Sequence, residues 1–187
     1  MVLYVEIDPS DYHVLHPRPV YLIVSRSRDD VLNVMAASWI SPVNDEPFVI
    51  ATPIWMGSKT YENIHDTREF TVNIVNDEYV DIVWAAGTLS GKKIDKWDRL
   101  GLKPVSSSKI NVPGIEGVLG FLECRVCDEI VVGETALFLA DVLAIHVNKE
   151  YYEKYGWNLR KTNILLHAGG KAFVTTGKLI FPSRSMK

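Results

Sequence analysis

The stretch Gly117-Val-Leu-Gly-Phe-Leu-Glu-Cys-Arg-Val-Cys-Asp-Glu-Ile-Val-Val132 runs into Gly133-Glu134. Past Thr135 the chain resumes as Ala136-Leu-Phe-Leu-Ala-Asp-Val-Leu-Ala-Ile-His-Val147. Both halves are rich in β-branched and apolar residues, and the Gly-Glu pair between them reads as the turn of one long hairpin. Further β-like runs precede it. Val20-Tyr-Leu-Ile-Val24 is apolar throughout and too short for a helix. Residues 32–40 follow the acidic turn Asp29-Asp30, and residues 48–54 follow the turn Asn44-Asp45-Glu46-Pro47. Phe70-Thr-Val-Asn-Ile-Val75 alternates, which implies one wet or functional face. Residues 172–176 and 178–181 are expected to close the sheet. Helices are few: residues 58–65, residues 77–86 with Tyr79, Val80, Val83 and Trp84 at helical spacing, and one turn at 151–155. Many strands without βαβ alternation predict a β-barrel. Fully apolar strands in a small barrel need cover on both faces, and a second subunit is one source of it.

The chain of 187 residues shows no repeat and no Gly/Ser/Pro-rich linker, so one domain spanning residues 1–187 is expected. Its 47% hydrophobic and 23% charged residues fit a globular chain rather than a disordered one. A net charge of −3 argues against a nucleic-acid partner. No apolar run reaches the roughly 18 residues needed to span a bilayer. The first ten residues hold Glu6 and Asp8 and no basic cluster, unlike a secretory signal. Cys124 and Cys127 supply no disulfide framework, so a cytoplasmic location is expected.

Four segments carry candidate chemistry. Gly57-Ser58-Lys59-Thr60-Tyr61-Glu62-Asn63 places hydroxyls and a charge where a helix begins. The unpaired N–H groups there suit a phosphate, although Ser58 is equally explained as an N-cap. Asn33-Val34-Met35-Ala36-Ala37-Ser38-Trp39 offers small residues against which a flat heterocycle fits, with Trp39 at its edge. The alternative there is a small-residue barrel corner with a core Trp. Ser90-Gly91-Lys92-Lys93-Ile94-Asp95-Lys96-Trp97 reaches a phosphate or a ring, or is a solvated loop. Leu166-His167-Ala168-Gly169-Gly170-Lys171-Ala172-Phe173 marks a tight backbone site or a plain turn. Other features carry less. Cys124 and Cys127 stand three apart in a strand and so face opposite sides, which disfavours a redox or metal pair. His13 and His16 lack further ligands, and no metal site is expected. Asp141 is read as a partnered buried group or a barrel-exterior one. There is no Gly-x-Ser-x-Gly elbow and no Gly-x-Gly-x-x-Gly fingerprint.

These segments, in this order, resemble the flavin reductase-like, FMN-binding split-barrel family, and its flavoredoxin-like branch in particular. The likeness rests on His16-Pro-Arg-Pro-Val20, the 33–39 and 57–63 stretches with Ile64, and Phe70-Thr-Val-Asn73. It continues through Ser90-Gly91 to Trp97, Leu122-Glu-Cys124 and His167-Ala-Gly-Gly170, covering roughly residues 12–181. The resemblance implies a mainly β fold: a six-stranded antiparallel Greek-key split barrel with a few short helices, paired as a homodimer with FMN at the interface. It implies that Asn33 and the backbone of Ala36, Ala37 and Ser38 contact the ring or ribityl chain, with Trp39 against the flavin. Ala51 and Thr52 would line the same pocket, and Ser58, Lys59 and Thr60 would hold the phosphate. Lys96, His167 and Phe173 would approach the ring, the last two from either subunit. The implied activity is hydride transfer from NADH or NADPH to FMN, then electron transfer to a small acceptor. Such chemistry needs stacking and a tuned flavin rather than a nucleophile or base, so no catalytic triad is expected. Reductases of the two-component monooxygenase branch resemble one another in a His before a Gly-Glu-Val strand. Here the strand reads Phe138-Leu-Ala-Asp-Val-Leu143, without that His. This departure keeps open a second reading, an electron-transfer flavoprotein that lacks its own nicotinamide site and serves a redox protein partner. A third is a non-enzymatic split-barrel binding module.

Overall fold

The computed structural model describes residues 3–182, leaving Met1, Val2 and the last five residues aside. Seven strands form one antiparallel sheet: β1 Tyr21–Arg26, β2 Leu32–Ala37, β3 Ser41–Asp45, β4 Phe48–Trp55, β5 Glu69–Ile74, β6 Gly120–Val132 and β7 Thr135–Val147. Their spatial order is β2-β1-β5-β6-β7-β4-β3. The long hairpin read from sequence is β6–β7, with Thr135 opposite Val132 and Val147 opposite Gly120. The two edge strands, β2 and β3, are consecutive in the chain and joined by residues 38–40 alone. Four Cα steps of 3.8 Å hold those edges within about 15 Å of each other. The sheet is therefore curled into a barrel whose seam lies between β2 and β3.

This is the expected mainly β split barrel, with seven strands in the main sheet rather than six. The additional one is β3, exposed along its whole length and hydrogen-bonded only to β4. The sequence shows a turn there because an edge strand without a buried face has no apolar alternation. Two further expectations fail. Residues 151–155 form no helical turn but belong to a short ladder, Tyr152–Glu153 against Gly156–Trp157. Residues 178–181 carry no strand. The last sheet is instead made by Arg18–Pro19, β8 Leu165–Gly169 and β9 Ala172–Thr175.

Among the described residues, three α-helices lie outside the barrel: α1 Lys59–Thr67, α2 Val80–Thr88 and the single turn α3 Lys96–Arg99. They explain why residues 20–24 are apolar without alternation. Ile23 points into the barrel with Ile50, Ile54, Phe70, Val72 and Phe138, where Ile64 of α1 joins them. Leu22 and Val24 point the other way, onto Val83 and Ala86 of α2 and onto Val112, Ile115 and Leu165. Cover for the second face of β1 thus comes from the chain itself, not from the second subunit that the sequence reading invoked. Each of these side chains contributes about 1.5–3 kcal/mol by leaving water.

One buried carboxylate fastens the loop before residue 110 to the barrel. Glu123 on β6 accepts Ser108 N–H at 2.7 Å, Lys109 N–H at 2.6 Å, the Ser108 hydroxyl at 3.0 Å and His146 Nε2 at 2.5 Å. Burial alone would raise its pKa; these hydrogen bonds outweigh burial and bring it down to about 2.

Candidate functional site

Helix α1 begins beyond the end of β4, and Ser58 caps it by accepting Tyr61 N–H at 3.0 Å. The capping reading of Ser58 is therefore correct. The N–H groups of Lys59 and Thr60 find no acceptor among the described residues, so the positive end of the helix is open. Two polar bonds bolt this helix onto the sheet. Asn33 Nδ2 donates to the Thr60 hydroxyl at 2.8 Å, and Asn63 Nδ2 donates to the Ser25 hydroxyl at 3.2 Å. The loop after α2 closes from the other side. A Cβ placed on Gly91 would lie 2.1 Å from Asn33 Oδ1, so only glycine lets that backbone come so near.

These elements enclose a cleft of about 280 Å³ lined by Asn33, Ser58, Lys59, Thr60, Gly91 and Lys96 among others. Lys96, the first residue of α3, is only 4% exposed. Its Nζ donates to Ala86 O at 2.8 Å, the one hydrogen bond it makes among the described residues. Burial pulls this ammonium from 10.5 to about 8. It is a desolvated cation with donors to spare beside an open helix N-terminus, and an anion satisfies both.

Gly87 and Thr88 are shared with a second cavity of about 210 Å³, bounded by Ala36, Ala37, Ser38, Trp84, His167 and Phe173. Its floor is the small-residue end of β2. Its far wall is the β8–β9 hairpin, which sets His167 opposite Phe173, with ring centroids 5.2 Å apart. Both glycines of the intervening turn hold positive φ, +119° at Gly169 and +54° at Gly170, a geometry that side chains with a Cβ resist. The tight backbone site inferred around His167 is thus a hairpin turn, and both His167 and Phe173 belong to the same chain as the β2 floor.

Ten of the thirteen residues proposed from sequence line the two cavities. Three do not. Trp39 follows the end of β2 and lies edge-on to Tyr12, 5.1 Å between centroids, in a hollow with Leu15, Arg18 and Pro53. At 45% exposed it is neither a core residue nor a wall of the cleft. Thr52 faces the barrel interior between Ile50 and Ile54, opposite Phe138, and its hydroxyl has no hydrogen-bond partner among the described residues. Ala51 lies on the outer face of β4, in register with Ser41 and Leu139 and away from both cavities. Strand alternation gives the reason: the outer face of β4 carries Ala51, Pro53 and Trp55, and only Trp55, at the strand's end, reaches the cleft. Trp55 covers Gly57, where a Cβ would come within 2.3 Å of the indole. Trp55 and Trp84 are the aromatic walls that sequence reasoning missed. Trp84 was read as a helix-face residue, and Trp55 directly precedes Met56-Gly57-Ser58. Cys124 is buried and Cys127 exposed, so the two face opposite sides of β6 as their spacing predicts.

A mainly β split barrel bearing a buried lysine beside a helix N-terminus, next to a cavity with small residues on one side and aromatic side chains on the other, defines a class, and sequence comparison agrees with it. The Flavin reductase like domain matches residues 13–175, and the chain belongs to this family. A protein of Pyrococcus abyssi is 35% identical over 164 residues, 88% of this chain and 93% of its own. Flavoredoxin from Methanosarcina acetivorans superposes with a TM-score of 0.88 at 22% identity, covering 97% of this chain and 96% of its own. An FMN-binding protein from Thermus thermophilus, with bound 1-cyclohex-2-enone, superposes with a TM-score of 0.83 at 18% identity, covering 97% and 99%.

Proposed function

We propose that this chain is an FMN-binding flavoprotein oxidoreductase. The observation that carries the reading is the adjacency of the two cavities: a cleft fit for an anion shares Gly87 and Thr88 with a slot that has a small-residue floor and aromatic walls. Together they fall within the roughly 300–1,000 Å³ usual for a small-ligand cleft. The residues present fit a flavin with a phosphate tail. Lys59, Lys96 and the free N–H groups of α1 would hold the phosphate. Ala36 and Ala37 would let a ring lie near the strand backbone, and Trp84, His167 and Phe173 would keep water from its faces. FMN bound there would supply a two-electron centre that accepts hydride from NADH or NADPH and passes electrons to a small acceptor. The chain's own contribution is binding, orientation and positive charge near the flavin; no general base is required.

The absence of a His before Asp141 on β7 favours the second reading, an electron-transfer flavoprotein reduced by a redox protein partner. Exposed Trp39, Trp55, Ile130, Val131 and Val132 support a homodimer, since side chains of this kind seek cover. A cytoplasmic location accords with two free cysteines. The test is the visible spectrum of the purified protein after FMN addition, followed by anaerobic titration with NADH and with NADPH. Bleaching at catalytic speed supports the reductase. Reduction only through a redox protein supports the carrier. A protein that stays colourless with added FMN refutes both, and sedimentation as a monomer refutes the homodimer.

A further inference from the structure

The hollow that holds Trp39 shares no lining residue with the cleft or the slot. Its volume is about 250 Å³, and its walls are Tyr12, Leu15, Arg18, Trp39 and Pro53. Tyr12 and Leu15 are the first and last residues of a short helical turn, and Pro53 lies on the outer face of β4. Trp39 meets Tyr12 with 78° between the ring planes, so the two rings make a corner. Tyr12 is 49% exposed and Trp39 45%, so that corner is open to a third ring.

The one charged wall is held in place. Arg18 is flanked by Pro17 and Pro19, whose rings restrict the backbone on either side. Its backbone stands opposite His167 in the last sheet, and its Nε donates to Ser38 O at 3.0 Å. Both terminal NH2 groups of this guanidinium have no hydrogen-bond or ion-pair partner among the described residues. No carboxylate lines the hollow among those residues either. Asp11, which caps the turn, is engaged with His13, accepting its N–H at 3.1 Å and meeting its Nδ1 at 2.9 Å. A fork with both outer donors free matches the two oxygens of one carboxylate. An apolar face of a second copy laid over the hollow would strand that charge.

We propose that this hollow is a binding site for a small aromatic carboxylate, a single ring bearing a carboxyl group. The carboxylate pairs with the outer donors of Arg18, and the ring packs into the corner of Trp39 and Tyr12. The hollow is smaller than the roughly 300–1,000 Å³ of a pocket for a drug-sized ligand, so it takes one ring and not a nucleotide. The inference goes beyond the flavin reading and does not depend on it, because Arg18 is not among the groups assigned to FMN.

Calorimetric titration of the unliganded protein with benzoate at low salt tests this. Benzamide serves as the ring without the charge, and acetate as the charge without the ring. Benzoate is expected to bind saturably and about tenfold or more tighter than either control. Arg18→Gln should bring benzoate down to the level of benzamide, and Trp39→Ala should bring it down to the level of acetate, with melting temperatures held. Lys96→Met, which removes the cation of the cleft, should leave benzoate binding intact. If Arg18→Gln fails to fold, Trp39→Ala decides: lost affinity upholds the proposal and wild-type affinity overturns it. No saturable binding to the wild type, equal affinities for benzoate and benzamide, or full benzoate affinity in Arg18→Gln overturns it. Loss of benzoate in Lys96→Met places the carboxylate in the cleft and likewise overturns it.

Discussion

Replacing Lys96 with Met keeps the aliphatic stem and removes the buried cation. In the folded chain this ammonium titrates near 8 instead of 10.5 because it is desolvated. At about 1.4 kcal/mol per tenfold step, keeping it charged costs the unliganded fold about 3 kcal/mol at neutral pH. The sign follows from which state holds the proton. Below pH 8 both states keep it and the cost is complete. Between 8 and 10.5 the folded chain releases a proton that the unfolded chain retains, so stability climbs with pH. By pH 9.5 the climb amounts to about 2 kcal/mol. A bound phosphate returns the missing counter-charge, so the liganded protein keeps its proton through this range. FMN affinity therefore falls by up to about thirtyfold between pH 7 and 9.5, the same 2 kcal/mol seen from the ligand's side. Urea melts followed by tryptophan fluorescence, with FMN titrations at the same pH values, measure both effects. Lys96→Met is expected to show neither slope and to bind FMN more weakly at pH 7. A wild-type affinity that stays flat to pH 9.5, or a variant with the wild-type slopes, refutes the placement of this charge against the phosphate.

Glu123→Gln puts an amide donor among groups that donate to the carboxylate, and should destabilise the fold by about 3 kcal/mol in urea melts at pH 7. In the wild type the same stabilisation is complete above pH 4.5 and is lost as pH falls toward 2, whereas the variant's acid profile is flatter; a variant within 0.5 kcal/mol of wild type contradicts this. Trp55→Ala should change the flavin spectrum or weaken FMN several-fold, while Trp39→Ala, in the tether and outside both cavities, leaves both alone. Equal effects of the two would mean that the cleft wall is misassigned. Gly91→Ala should push Asn33 from its bond to Thr60 and lower FMN affinity by about 1–3 kcal/mol in fluorescence titrations, with unchanged affinity counting against Asn33 and Thr60 as part of the cleft.

Much of this was legible wherever one local signal dominated. The β6–β7 hairpin needed only its β-rich halves and the Gly133-Glu134 turn. The small residues at 33–39 and the Ser58-Lys59-Thr60 start of α1 each left two readings open, and the fold brings both segments to cavity walls. Other features depend on contacts that the sequence does not order. Lys96 is named as a site residue only through the family resemblance; its burial is not legible, because lysines are seldom buried and only the fold sets its Nζ on Ala86 O. The choice between Trp39 and Trp55 is a matter of which strand end meets α1. Alternation from Ile50 and Ile54 already assigns Trp55 to the outer face of β4, but not to the cleft. The two-sided burial of β1 was inferred correctly, but its second cover proved to be α2.

The seam of the barrel is spanned by covalent connectivity rather than by a ladder of hydrogen bonds, since residues 38–40 tether β2 to β3. The girth of the cylinder at that point is consequently a property of chain length. Each residue inserted there lets the margins drift apart by up to about 3.5 Å, for little added closure entropy. Because Ser38 is both a tether residue and a wall of the slot, the width of the slot and the gape of the barrel depend on the same three residues.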